Sequence, residues 1–193
     1  MRVDDQRLRD AVRVLLDDAE GDERYQTLRA GLVETPNRFL QAWRFWTSGY
    51  DQRPENVLKS FEDGAQGYDE MVVVNNIPVF SFCEHHIAPF FGKAHVAYIP
   101  DGKVVGLSKI PRLVEVFARR LQVQERLTVQ IADALVTHLQ PKGVGVILEC
   151  RHLCMESRGV QLPGCVTSTS ALRGAMQQEK VRGEFLALKK GVV

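Results

Sequence analysis

No stretch of the 193-residue chain comes near the ~20 uninterrupted apolar residues that a helix needs to cross a bilayer. The chain also lacks a surplus of either charge: 25 Lys and Arg against 24 Asp and Glu leave a formal net charge of +1. General affinity for nucleic acid or for a membrane surface is therefore not expected. The run from Met1 to Arg13 is charged throughout, where a secretory leader would be apolar, so cytoplasmic residence is expected. Cysteine is scarce, at four residues: Cys83, Cys150, Cys154 and Cys165. In a reducing compartment that argues against a disulfide framework and leaves buried thiols or metal ligands. Internal repeats and low-complexity tracts are absent. What the chain does have is 45% apolar and 25% charged residues, the balance of a globular protein with a core.

The first sixty residues read as helical. Leu8, Ala11, Val12, Leu15 and Leu16 recur at helical spacing after Asp4 and Asp5. Thr35-Pro36 reads as a helix entry, with Thr35 as N-cap and Pro36 at the first helical position. The helix it opens carries Phe39, Leu40, Trp43 and Trp46 and stops near Gly49. A polar stretch from Asp63 to Asp69 marks the expected boundary between an N-terminal helical arm, 1–66, and a main domain, 67–193. There, β-rich runs are expected at 71–75, 79–82 and 93–99, the last ended by the turn Pro100-Asp101-Gly102. Two helices follow, near 108–121 and 125–139, then strands near 144–153 and 166–171 and a short helix near 179–188. Helices grouped between strand pairs predict an α+β domain on an antiparallel sheet.

Phe82-Cys83-Glu84-His85-His86 holds the densest chemistry. Cys83 and His86, three residues apart, can reach one ion from a single loop, and zinc favours thiolate sulfur and imidazole nitrogen in a tetrahedral site. Arg151-His152-Leu153-Cys154 is the partner segment, at the end of a late strand. On an extended chain, residues 152 and 154 share a face with Val144, Val146, Leu148 and Cys150. Such a strand is apolar along its length and delivers reactive groups at the rim of a core. Cys83, His86 and Cys154 make three ligands, with His85 and His152 beside them. Three protein ligands and a fourth position open to water is the pattern of a catalytic zinc. Zinc lowers the pKa of bound water towards ~7, and free histidines nearby can move protons. Cys150 and Cys165 read as buried thiols, His95 as a strand residue and His138 as a helix-surface residue.

Ser108-Lys109-Ile110-Pro111-Arg112 opens the first body helix. Ser108 suits an N-cap and Pro111 the first turn. Lys109 and Arg112 crowd one side of a terminus whose free N–H groups favour an anion. Arg38 and Arg158 are candidate additions. The pattern reads either as a phosphate seat or as a solvated helix start with surface charges. Glu125, in Gln124-Glu125-Arg126 where the two helices join, reads either as an ordinary helix-start acid or as an acceptor for an amidine-like edge such as that of guanine.

Cys83-Glu84-His85-His86, Gly106-Leu107-Ser108-Lys109, the run Gln122 to Leu127, and His152-Leu153-Cys154 stand in an order and spacing that resembles GTP cyclohydrolase I. Glu34-Thr35-Pro36 with Arg38, Thr169 to Gly174, and Glu184-Phe185-Leu186 are similar to its two ends, so the resemblance runs from Leu32 to Leu188. It implies a tunnelling fold: an antiparallel four-stranded sheet with a helix pair between strand pairs, after an N-terminal helical arm. Copies of that unit join into rings, and two pentamers stack into a homodecamer with active sites at subunit junctions. The resemblance also implies the conversion of GTP and water to 7,8-dihydroneopterin triphosphate and formate, an opening step of tetrahydrofolate or other pterin biosynthesis. Cys83, His86 and Cys154 would bind Zn2+, whose activated water attacks C8 of the guanine. His85 and His152 match the acid–base histidines, and Glu125 with Gln124 matches the guanine site. Ser108, Lys109, Arg112, Arg158 and Arg38 match the triphosphate and ribose contacts. Family members often carry a basic residue three positions after Arg38, where this chain has Gln41. Arg44 is a candidate replacement, or else an ordinary solvated charge. Two other functions share these features: a ring-forming protein that binds zinc and nucleotide without turnover, and a related enzyme acting on a pterin or deazapurine. The complete set of His85, His152, Cys83, His86, Cys154 and Glu125 argues against the first.

Overall fold

The computed structural model describes residues 2–20, 28–61 and 67–190. They form two compact units, Met1–Thr47 and Ser48–Val193. Residues 63–66 of the polar stretch expected as a boundary lie outside the described residues. Among the described residues, no helix is long and apolar enough to cross a membrane.

The first unit is a helix pair. Helix α1, Asp5–Glu20, begins where the Asp4 carboxylate accepts the backbone N–H groups of Gln6 (3.0 Å) and Arg7 (3.3 Å), a side-chain cap. Helix α2 spans Thr35–Trp46. Here the expected cap needs correction: Glu34 is the cap residue, without a side-chain bond, and Thr35 is already helical. Glu34 has near-helical angles, φ −88° and ψ −1°, so the helix starts one residue early and Pro36 still falls in the first turn. Val12 and Leu40 are buried, and Phe39 stacks on Trp43 at 5.9 Å. Arg44 is drawn into this unit. Its guanidinium donates to the Val3 carbonyl (2.7 Å) and to the Asp5 carboxylate (2.5 Å). That ties the start of α1 to the end of α2, so Arg44 is paired within its own unit.

The second unit opens with a short helix α3, Pro54–Val57, and a two-residue strand β1, Ser60–Phe61. Strand β2, Val72–Cys83, turns back as β3, Pro89–Ile99. The two β-rich runs expected at 71–75 and 79–82 are one strand. Its register shifts between Val74 and Ile77, where Asn76 takes a left-handed φ of 56°; asparagine tolerates that conformation better than most residues. Strand β4, Val104–Val105, pairs with β1. Helix α4, Lys109–Ala118, leads through β5, Leu121–Gln122, to α5, Gln124–Leu139. Strand β6, Gly143–His152, a one-turn helix α6, Leu153–Glu156, strand β7, Val166–Gly174, and helix α7, Glu179–Lys190, complete the chain.

The main sheet has the order β5-β2-β3-β6-β7. Its four long strands are antiparallel, as expected, and β5 adds a fifth, parallel to the end of β2. The link from α4 to α5 runs beside Cys83, and the Glu84 N–H donates to the Gln122 carbonyl at 3.0 Å. Helices α4 and α5 cover one face, burying Ile110, Leu113, Leu127, Ile131 and Leu135 against Val79, Val96, Val146 and Leu148. On the other face Phe185 of α7 and Met176 pack on Ala97 and Ile147. Gly145 makes this approach possible, because a Cβ there would stand 2.9 Å from the Phe185 ring. With both faces covered, β6 reads as a near-continuous buried run and not as an alternating one.

A polar cluster sits under α7. His95 on β3 is 3% exposed. Its Nδ1 is 2.9 Å from Asn75 Oδ1, while its Nε2 stands 3.4 Å from Glu149 Oε2 and makes no hydrogen bond. Lys189 of α7 donates to the same carboxylate, and Asn75 donates to the Leu188 carbonyl. Burial, then the charge of Lys189, holds the His95 pKa below its ordinary value of 6.5; Glu149 opposes and Lys93 adds a smaller push down. The unfolded chain therefore binds a proton at His95 before the folded chain does. Stability from this group is complete above pH 6.5 and is lost as pH falls from 6.5 through the lower folded value. Glu149 is held low, chiefly by the Lys189 bond, so its share is kept until pH falls below 4.5. Urea unfolding between about pH 7.5 and 5 should show stability falling with pH, and His95→Gln should flatten that fall. Equal slopes for the two proteins would contradict the assignment.

Candidate metal centre and active site

Cys83 is the last residue of β2, and the turn after it is tightly closed. The Cys83 carbonyl accepts the N–H groups of His86 (3.3 Å) and Ile87 (2.8 Å), and its own N–H donates to the Ala88 carbonyl (2.8 Å). Closure puts Ile87 in the left-handed region at φ 52°, which costs a non-glycine residue about 1–2 kcal/mol. The turn folds the His86 ring back on its own strand end, with Nδ1 3.8 Å from Cys83 Sγ.

Cys154 arrives from β6, by a route that differs from the expected one. The strand ends at His152 and Cys154 lies in helix α6. Ser157 closes that turn by donating both its N–H (2.9 Å) and its hydroxyl (2.6 Å) to the Leu153 carbonyl. The reactive groups of Cys83, His86 and Cys154 all lie within 4.8 Å of one another. Donors bound to one tetrahedral ion at about 2.0–2.3 Å would stand roughly 3.5–3.8 Å apart, so the sulfur–nitrogen spacing already fits and the set needs little contraction. The electrostatics agree. Burial first, then the Cys83 sulfur, push the Cys154 thiol up, while Arg158 pulls it down. Two sulfurs crowded together without a cation favour keeping a proton, and a bound cation reverses that preference.

The same three residues line a pocket of ≈ 220 Å³ together with His85, Glu125 and His152. His85 is exposed on the turn, its Nδ1 3.7 Å from Cys83 Sγ. His152 is held on two sides: its ring stacks on Phe90 at 4.7 Å and 10°, and its Nε2 lies 2.7 Å from Gln124 Oε1. Burial lowers its pKa and Glu125 partly restores it. Glu125 is exposed in the first turn of α5. Gln124, expected beside it as a substrate contact, is 2% exposed with its side chain turned into the fold. Arg126 of α5 reaches back to Glu84 in the metal turn and donates to Gln122 Oε1 (3.2 Å), so α5 and the turn are linked.

The expected phosphate seat is not part of this pocket among the described residues. Ser108 caps α4 without a side-chain bond; Ser108 and Arg112 are exposed and Lys109 half-buried. Arg158, just beyond α6, is close enough to act electrostatically on Cys154. Arg38 belongs to the first unit, where it donates to the Gly31 carbonyl at 3.0 Å. Phe90 was invisible to sequence reasoning as a functional residue. An apolar residue in a strand carries no signal until the register pairs it with His152.

The family model described as GTP cyclohydrolase I matches residues 8–190. The chain is 61% identical over 163 residues to GTP cyclohydrolase 1 of Janthinobacterium sp. (strain Marseille), covering 84% of this chain and 82% of that protein. It is 59% identical over 161 residues to the protein of that name from Nitrosospira multiformis, covering 83% of this chain and 84% of the relative. For that of Campylobacter lari the identity is 58% over 163 residues, with coverage of 83% and 84%.

Metal analysis of purified protein separates the two kinds of cysteine. Cys154→Ser replaces a thiolate with a neutral hydroxyl, so bound metal should fall towards zero. Cys150, whose thiol is pushed up to about 12 by burial, should tolerate Cys150→Ala with metal content unchanged. One metal retained per Cys154→Ser chain would remove Cys154 from the donor set.

Proposed function

The chain belongs to the GTP cyclohydrolase I family, and from that premise we propose that it converts GTP and water to 7,8-dihydroneopterin triphosphate and formate at the Cys83–His86–Cys154 centre, with zinc as the metal. The observation that carries this reading is the convergence of three metal donors, two further histidines and one carboxylate on a single pocket. Bound zinc supplies a Lewis acid and a water acidified towards neutral pH.

The chain's own residues account for the rest of the chemistry. The carbon lost as formate is C8 of the guanine, so both of its C–N bonds break, and each departing nitrogen needs a proton. His85 and His152 stand beside the metal donors and are suited to hold and pass on those protons. His85 is open to solvent and can exchange directly, whereas His152 is fixed by Phe90 and Gln124. The Glu125 carboxylate, acceptor-only when ionised, takes the two N–H groups of the guanine edge and so discriminates against adenine. That part of the reading rests on its position in the pocket wall.

We assign Ser108, Lys109, Arg112, Arg158 and Arg38 to the triphosphate and ribose. Three of these lie at the α4 start, away from the metal pocket of their own chain, which suits a site completed between subunits. The assembly proposed is the tunnelling-fold homodecamer of two stacked pentamers. Support for it is that β7 is a nine-residue strand at the end of the sheet order, with its outer edge unpaired among the described residues. The proposed location is the cytoplasm.

Incubation with GTP followed by oxidation should yield a fluorescent pterin. His85→Ala and His152→Ala should retain metal but lose turnover by about 100-fold or more, the scale of general acid–base catalysis. Glu125→Gln should raise the KM for GTP strongly, because one acceptor becomes a donor against guanine's N–H edge. Absence of pterin from the metal-loaded wild type would refute the reading, and loss of metal from either histidine variant would make that residue a ligand.

A further inference from the structure

Gln124 makes more contacts than a helix-start glutamine needs. Its Nε2 stands 3.0 Å from the Thr167 carbonyl, 3.3 Å from the Leu148 carbonyl and 3.0 Å from Thr169 Oγ1. A carbonyl oxygen can only accept, so the amide nitrogen must be the atom that faces β6 and β7. The opposite orientation would set an amide oxygen against two backbone oxygens in a site that is 2% exposed. The hydroxyls close the count. Thr128 donates to the Gln124 carbonyl (2.7 Å), Thr169 donates to Thr128 (2.7 Å), and Thr169 accepts from Gln124 Nε2. Each hydroxyl proton in this group has one acceptor and no alternative arrangement is needed.

That leaves Gln124 Oε1 pointing away from the sheet, 2.7 Å from His152 Nε2. An amide oxygen only accepts, so His152 Nε2 must donate. A neutral imidazole carries one N–H and one lone pair. We infer that Gln124 is a positioning residue: it holds His152 in the tautomer with hydrogen on Nε2 and leaves the Nδ1 lone pair as the one available to the reaction. Phe90, stacked on the ring at 4.7 Å, limits its tilt while Gln124 limits its rotation. Gln124 and Glu125 are adjacent in the first turn of α5, so the element that presents Glu125 to the pocket also sets the histidine. The inference deepens the proposed function, because it rests on His152 being the group that handles protons there.

The test is histidine-selective 15N NMR on the full-length, zinc-loaded protein at about pH 8, where an imidazole of ordinary pKa is neutral. His152→Ala identifies the His152 signals. Wild type should show a protonated-type shift at Nε2 and a lone-pair-type shift at Nδ1; the reverse pattern overturns the inference. This spectrum decides the point even if a variant fails to fold. Gln124→Met keeps the length and the apolar stem but removes the amide. It should lose the single tautomer and lower kcat by about 10- to 100-fold, the usual scale for a group that orients a working histidine, with KM for GTP nearly unchanged. A raised KM with the tautomer intact would make Gln124 a substrate contact and overturn the assignment. The two readings fail separately. Hydrogen on Nδ1 in an enzyme that forms pterin defeats this inference alone. No pterin from GTP defeats the functional reading, and with it the use given to Nδ1.

Discussion

The antiparallel ladder between β3 and β6 is the constraint on which the site depends. It runs through ten residue pairs, from Phe90 opposite His152 to Ile99 opposite Gly143. At the Phe90 end, β3 leads back through the tight turn to His86 and Cys83, while β6 leads forward to Cys154. The two halves of the donor set are thus placed by backbone hydrogen bonds before any metal arrives. A one-residue slip in this ladder would turn every β6 side chain to the opposite face. His152 would leave Phe90, and the apolar residues that meet α5 would face α7.

Much of this was legible in the sequence, for identifiable reasons. Cys83, His86 and Cys154 could be grouped because cysteine and histidine fall together in two short clusters, one spaced to reach an ion from a single loop and one at the end of a late strand. The helix pair α4 and α5 was legible from its apolar spacing, which the core confirms at Leu127, Ile131 and Leu135. Features that depend on tertiary neighbours were not. Strand β5 is two residues long and forms only because the link between helices passes Cys83. The turn that carries Cys154 depends on Ser157 closing back on Leu153, a contact that alternation along a strand does not reveal. Arg44 looked available from helical spacing alone, and its partners Val3 and Asp5 lie about forty residues earlier. Gln124 was read as a substrate contact through its neighbour Glu125, and no sequence pattern showed that its side chain hydrogen-bonds Leu148, Thr167, Thr169 and His152.

The two faces of the sheet treat buried polar groups differently. On the α5 face, Gln124, Thr128 and Thr169 satisfy one another completely, and the chain of donors has a single direction. Such a network resists rearrangement, because any flip leaves a buried group unpaired. On the α7 face, His95 keeps one nitrogen without a hydrogen bond beside a carboxylate that Lys189 already holds. The fully satisfied network lies beside the pocket, and the under-satisfied one lies beneath the terminal helix.

The position of the donors also has a topological meaning. Cys83 and Cys154 are separated by roughly seventy residues, so a metal joining them is a cross-link that closes a long loop containing β3, α4, α5 and β6. By the loop-entropy relation for such a link, the unfolded chain would lose freedom equivalent to about 4 kcal/mol. The same bond set that performs chemistry would then act as the clasp of the core sheet. Loss of such an ion would lower the stability of the whole sheet, not merely silence the centre.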